Sequence, residues 1–157
     1  MASRVYLETT IPSYLTGWLS RDLVTAAHQQ ITSEWWETRR QDFELFISQF
    51  VLDEAALGDP DASRRRLEML TDIPLLDAGE EVLALANELM NRVPLPTNAV
   101  ADSVHIAIAT VNGMDYLLTW NCTHIANATL RTFIEAVCRE SGYEPPVICT
   151  PEELMKE

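Results

Sequence analysis

Strand-like and helix-like stretches alternate along this chain almost from end to end, and that alternation limits what it can fold into more than any other feature. Residues 3 to 7 (SRVYL) form a short β-branched and aromatic run, as a strand requires. Residues 23 to 39 place Leu23, Ala27, Ile31 and Trp35 at steps of four, which predicts a helix. From Phe43 to Leu57 a strand pattern passes into a helical one that ends at Gly58. Residues 61 to 71 read as another helix, with Arg64, Arg65 and Arg66 exposed on one side. "IPLLDA" (73 to 78) predicts a short strand, and "EEVLALANELMNRV" (80 to 93) a helix whose acidic start and Arg92 near its end match the macrodipole. "PLPTN" is a loop, because its prolines exclude a helix. A small-residue helix follows from Ala99 to Asn112, closed by Gly113. "DYLLTW" (115 to 120) is the most strand-like segment. A helix from Ala128 to Ser141, Gly142, a "PPVICT" strand and a last short helix opened by "TPEEL" complete the series. No internal repeat interrupts it. Such an order predicts an α/β fold with a mainly parallel sheet.

The chain has 157 residues, which fits one domain spanning 1–157 and suffices for a substantial core. With 47% hydrophobic and 22% charged residues it reads as a soluble globular protein. No apolar run approaches the length of a membrane span, so no membrane partner is expected. Arg4 and Glu8 fall inside the first ten residues and no signal-peptide core is present, which makes the cytoplasm the expected compartment. Cys122, Cys138 and Cys149 are an odd number, widely spaced, and predict neither a disulfide framework nor a structural zinc site. The balance of 24 acids against 11 bases gives a formal charge of −13. Simple electrostatic binding to nucleic acid needs the opposite sign. Either nucleic acid is not the ligand, or some acids gather around divalent cations that reverse the local field.

Ligands of open α/β sheets sit beyond the carboxyl ends of the strands. Four polar residues fall at such positions here. Glu8 follows the first strand directly. Glu54 lies one helical turn past the strand that ends near Ser48. Asp102 stands in the first turn after the "PLPTN" loop, and Asn121 ends the "DYLLTW" strand two residues after Thr119. Each has a plainer reading taken alone: Asp102 as a complement to a helix N-terminus, Asn121 as a turn residue, Glu54 as a solvated helical acid, Glu8 as the start of a turn. Together, three carboxylates in one cleft would repel one another, and hard cations with oxygen ligands, Mg²⁺ or Mn²⁺, are the usual remedy.

"VYLETTIPSYL" at the start, "VLDEAALGDPDASRRRL" at 51 to 67, "ADSVHIAIATVNGMDYLLTWNCTHIAN" at 101 to 127 and the terminal "CTPEEL" resemble PIN-domain proteins, most closely the VapC-like toxin ribonucleases, over essentially the whole chain. The resemblance implies an α/β/α sandwich with a central, mainly parallel sheet and an acidic pocket that holds Mg²⁺ or Mn²⁺ and hydrolyses RNA. By position, the acids of that pocket fall on Glu8, Glu54 and Asp102, the fourth polar position on Asn121, and the hydroxyl before it on Thr119. Glu8, Asp102 and Glu54 would hold metal, with Glu54 alternatively a general base, and Thr119 and Asn121 would position waters or a phosphate oxygen. A small antitoxin and a homodimer are the partners the resemblance implies. Glu8 is one methylene longer than the Asp usual in the family, and Asn121 is neutral where many relatives carry an acid. Those two departures keep a second reading open, a PIN-like RNA- or protein-binding module with a weakened site. A phosphatase-like hydrolase would need an Asp nucleophile after the first strand, and none is there.

His105, one turn after Asp102, and His124, three residues after Asn121, both lie near the expected mouth. Hard-ion sites prefer oxygen, so His105 reads as packed and hydrogen-bonded, and His124 as the nearer of the two to the site. The "SRRRL" cluster is expected to be a solvated helix face rather than a phosphate contact. Trp35 and Trp36 are expected in the core or at a subunit interface rather than as base-stacking groups.

Overall fold

The computed structural model describes residues 2–155. Five strands, β1 (Ser3–Leu7), β2 (Phe43–Ser48), β3 (Leu75–Leu76), β4 (Tyr116–Leu118) and β5 (Val147–Cys149), make one all-parallel sheet in the order β3-β2-β1-β4-β5. Helices flank it: α1 (Thr10–Thr16), α2 (Leu23–Thr38), α3 (Gln49–Ala55), α4 (Pro60–Met69), α5 (Glu80–Arg92), α6 (Val100–Val111) and α7 (Ala128–Glu140). This is the sheet expected of a PIN-like sandwich. The chain starts in the middle at β1, winds outward through β2 and β3, then crosses back to β4 and β5. The winding therefore reverses at β1, and the crevice past the carboxyl ends of β1 and β4 is the place where such sheets hold ligands.

A parallel sheet covered on both faces needs apolar strands without alternation. β1 obeys, with Val5, Tyr6 and Leu7 all fully buried, and so do Leu117 and Leu118 in β4. α6 is buried from Ser103 to Thr110, which explains its small and aliphatic composition. Its end is closed by Gly113 at φ +68°, whose N–H bonds the Thr110 carbonyl while Met114 N–H bonds that of Ala109. That pair of bonds needs the left-handed conformation glycine adopts without strain. Gly142 closes α7 in the same way. Ser48, Asp59 and Asn127 accept hydrogen bonds from the first-turn N–H groups of α3, α4 and α7.

The structure departs from the sequence pattern in five places. The stretch after Glu8 is a helix, α1, despite Pro12. The proline occupies the third helical position, where a backbone N–H would have no intrahelical partner anyway. α2 does not bury the Leu23–Ala27 end of its stripe: Leu23 is 85% exposed, and the buried face is Thr32, Trp35 and Trp36. Both tryptophans are therefore core residues. The strands at 73–78 and 145–150 shrink to Leu75–Leu76 and Val147–Cys149, since the prolines at their starts cannot donate to a ladder. Residues 151–155 form successive turns with bonds such as Glu153 N–H to Thr150 O, not a helix. The three arginines of α4 do not share one exposed face. Arg64 pairs with Asp61 and Glu68, Arg65 Nε donates to the Thr16 carbonyl, and Arg66 donates to the carbonyls of Ala55 and Leu57.

Candidate active site

Glu8 is the residue that follows β1, and its N–H extends the ladder by bonding the Leu118 carbonyl at 3.1 Å. The side chain is 5% exposed. Its Oε1 accepts hydrogen bonds from Thr10 N (3.1 Å), Thr10 Oγ1 (2.5 Å) and Thr119 Oγ1 (2.7 Å). Both hydroxyls are oriented in turn, because Thr10 Oγ1 accepts from Trp120 N at 2.8 Å and Thr119 Oγ1 from Asn121 N at 2.9 Å. With their acceptor roles filled by backbone N–H groups, the two threonines must donate toward Glu8. The additional methylene of Glu8 thus sits in a polar frame built from the ends of β1 and β4.

Glu54 arrives from the other side, in the last turn of α3. Its Oε1 accepts from Thr9 Oγ1 and lies 2.6 Å from His105 Nε2. His105 is 1% exposed, and its Nδ1 lies 2.7 Å from the Tyr6 hydroxyl, which is 2.8 Å from Ser48 Oγ. The row is satisfied by a neutral His105, whose Nε2–H donates to Glu54 while Tyr6 O–H donates to Nδ1 and Ser48 O–H to Tyr6, and equally by a charged one, whose Nδ1–H donates to Tyr6 while Tyr6 O–H donates to Ser48. Burial alone would push the Glu54 carboxyl up. The hydrogen bond and positive charge available from His105, together with the Thr9 bond, outweigh it and hold Glu54 below its ordinary value. Burial pushes the Tyr6 hydroxyl far above its ordinary value, which keeps it a proton donor.

One ligand atom from each of Glu8, Glu54 and His105 lies within 4.8 Å of the others. Asp102 is not in that group. It occupies the third position of α6, where a carboxylate complements the helix start. Its Oδ1 accepts from Asn121 Nδ2 at 2.9 Å, and its Oδ2 lies 2.8 Å from His124 Nδ1. Asn121 Oδ1 in turn accepts from His124 N at 3.0 Å. The five residues singled out in the sequence therefore form one connected system with two centres. Glu8 and Glu54 share the first, Asp102 and Asn121 the second, and Thr119 bridges them through its bonds to Glu8 and Asn121 N. Thr9, Thr10 and Tyr6 were not picked out by the sequence; His105 is packed and hydrogen-bonded as expected, but it, rather than His124, lies beside Glu8 and Glu54. The one signal for His105 is its spacing of three from Asp102, which puts both on one helix face.

The donor set fits a hard divalent cation. Glu8 and Glu54 offer carboxylate oxygens, the surrounding hydroxyls are oriented, and no Lys or Arg pairs with either acid among the described residues. Two carboxylates this close, one of them buried, are costly without an opposing charge. The cysteines have no part in the site: all three are free, and burial pushes the Cys149 thiol up to about 12.

The fold and the site define the class: an α/β sandwich with an all-parallel sheet and an acidic, hydroxyl-braced crevice at its switch point. No protein-family model matches the chain, and no curated protein matches it in sequence. Among solved structures it is similar to a chain in the crystal structure of VapBC2 from Rickettsia felis bound to a DNA fragment from its promoter, with a TM-score of 0.59 and 13% identity over 94% of this chain and 98% of that one. The likeness covers the whole architecture and fixes the fold. Among the described residues no helix is long and apolar enough to cross a membrane.

Proposed function

We propose that this chain is a PIN-like, single-domain ribonuclease that hydrolyses RNA phosphodiester bonds with Mg²⁺ or Mn²⁺ in the crevice between β1 and β4. The observation that carries the reading is the buried Glu8 carboxylate beside Glu54, braced by Thr10, Thr119 and His105 and paired with no Lys or Arg among the described residues. Glu8 and Glu54 would hold the ion through the oxygens not engaged by these bonds. Bound there, it would supply Lewis acidity toward the phosphate and make a bound water a better nucleophile. Ser48, Tyr6 and His105 fix the orientation of Glu54, the kind of outer support that keeps a ligating carboxylate in place. Thr119 holds Glu8 and, through Asn121 N, the start of the loop that carries Asn121 and His124. Asp102, held by that pair, presents the remaining acid of the crevice and completes the set implied by the family resemblance.

The resemblance to VapC-like ribonucleases, with the fold likeness to VapBC2, supports a toxin role in the cytoplasm with a small antitoxin as partner, acting as a homodimer. A second reading is a binding module with a weakened site. Asn121 favours it, since a neutral amide that donates to Asp102 adds no charge for a second ion.

The test is cleavage of a pool of structured RNAs with Mn²⁺, with Mg²⁺ and with chelator, comparing the wild type with Glu8→Gln and Asp102→Asn. Metal-dependent cutting that both substitutions suppress is the expected result. No cutting above chelator with either ion, and no ion binding by calorimetry, overturns the ribonuclease reading in favour of the binding module.

A further inference from the structure

Three of the four tryptophans, Trp35, Trp36 and Trp120, are buried, whereas Trp18 is 83% exposed. It stands on the loop between α1 and α2, and that loop is tied down on both sides. Gln29 reaches back from α2 so that its Nε2 donates to the Trp18 carbonyl (3.0 Å) and its Oε1 accepts from Ser20 N (2.9 Å). From α4, Arg65 lies with its guanidinium 5.0 Å from the centroid of the Trp18 ring, while its Nε donates to Thr16 O. The guanidinium covers one face of the indole and the exposure leaves the other to solvent. Arg21 sits in the same loop. Neither Arg21 nor Arg65 pairs with a carboxylate among the described residues, whereas Arg39, Arg64, Arg92 and Arg139 all do. The Arg65 guanidinium thus lies on an exposed aromatic face with no carboxylate partner among the described residues, and Arg21 stands three residues along the same loop.

The platform is coupled to the acidic crevice. α1 begins at Thr10, whose hydroxyl binds Glu8, and ends at Thr16, whose carbonyl Arg65 holds. The seven residues of α1 span about 10 Å, from the threonine that binds Glu8 to the carbonyl that Arg65 holds. The neighbouring Arg66 bonds the carbonyls of Ala55 and Leu57, next to Glu54, so α4 braces both the platform and the site.

We propose that Trp18, backed by Arg65, is a stacking platform for an unpaired nucleobase, and that Arg21 and Arg65 meet the adjoining phosphates of a single-stranded RNA segment entering the crevice. Aromatic stacking with arginine support is the sequence-tolerant way proteins hold single strands. The inference rests on the ribonuclease reading and names its substrate class as RNA unpaired on this side of the cleaved bond. The exposed Leu19, Leu23 and Val24 nearby would also suit an apolar protein partner. The Arg65 guanidinium on the ring, with no carboxylate partner among the described residues, favours a polyanion with π-faces instead.

The test measures binding of a short single-stranded oligoribonucleotide, its duplex form and an abasic version to the full chain, in the Asp102→Asn background with Mn²⁺. Trp18→Ala is expected to weaken binding of the single strand roughly five- to hundredfold. Trp18→Phe should restore most of the affinity and remove the tryptophan quench that accompanies binding, and the abasic strand should be insensitive to both. Unchanged single-strand affinity in Trp18→Ala overturns the proposal. So does a Trp18→Ala change confined to sedimentation behaviour, which would make the surface a protein interface. Metal-dependent cleavage by the wild type with no Trp18 effect refutes the platform alone, while no cleavage and no RNA binding refutes the ribonuclease reading and the platform with it. Trp18 is exposed, so matching thermal melts of the variants confirm that each comparison is between folded proteins.

Discussion

Replacing Tyr6 by Phe deletes one oxygen from the middle of the row that aims Glu54, and the structure sets the size of the effect. The hydroxyl lies 2.8 Å from Ser48 Oγ and 2.7 Å from His105 Nδ1, and all three residues are buried. Ser48 Oγ still accepts from Val51 N at 3.4 Å, so its loss resembles that of one ordinary hydrogen bond, about 0.5–1.5 kcal/mol. His105 Nδ1 is left buried with no partner, which costs about 1–3 kcal/mol. The expected destabilisation is about 2–3 kcal/mol, which at this chain length lowers Tm by roughly 5–10 °C. The urea midpoint should fall with no change in slope, because the surface exposed on unfolding is the same. With the imidazole no longer held, Glu54 loses its fixed orientation, and metal affinity should drop roughly 10- to 100-fold, as for other outer-shell substitutions. Ser48→Ala in the Tyr6→Phe background should add less than it does alone, since both residues belong to one row. Thermal melts and urea titrations, together with calorimetric titration of Mn²⁺, read these quantities. A Tyr6→Phe protein with wild-type Tm and wild-type metal affinity would refute the claim that this row supports the site.

Saturation with Mg²⁺ or Mn²⁺ at about a hundred times Kd should stabilise the protein by about 2.7 kcal/mol, a rise in Tm that chelator reverses and Glu8→Gln abolishes. Thr119→Val keeps the shape but removes the donor to Glu8 and the acceptor for Asn121 N, so stability should fall by about 1–3 kcal/mol and RNA cleavage at saturating metal should fall as well. Glu54 is held below its ordinary value of 4.5 in the folded chain. Its contribution to stability is therefore complete above that value and is lost as pH falls through the lower folded value, so the acid limb of a metal-free urea-midpoint profile should be flatter in Glu54→Gln than in the wild type.

The doubly wound sheet was legible because each element carries its own local cause. β1 is a short run with Val5 and Tyr6, β4 is the apolar run Tyr116–Leu118, α5 has acids at its start and Arg92 near its end, and Gly113 and Gly142 close their helices through a conformation other residues resist. The misreadings share a cause as well. Leu23 and Ala27 follow the helical spacing of α2, yet burial requires an opposing surface, and near the exposed loop at 17–22 α2 has none. α1 escaped notice because Pro12 and the threonines argue against a helix anywhere but in a first turn. The arginines of α4 read as one charged face because the sequence does not show that the ends of α1 and α3 present bare carbonyls to two of them.

For the site, the sequence by itself pointed to the residues of the crevice: Glu8, Asp102, Thr119 and Asn121 each stand just past a strand or at a helix start, Glu54 lies on the short helix that follows β2, and a parallel α/β order brings such positions to one edge. Which of them meet was decided by tertiary structure alone. Side-chain reach and rotamer place Glu8, Glu54 and His105 within one ligand distance, turn Asp102 toward Asn121 and His124, and use Thr119 to join the two groups. Spacing along a chain fixes the end of an element, whereas a hydrogen bond is fixed to a few tenths of an ångström by the packing of elements far apart in sequence. His105 shows the difference: on its own helix it is a core residue, and only the arrival of β1 and α3 makes it the support of an acid.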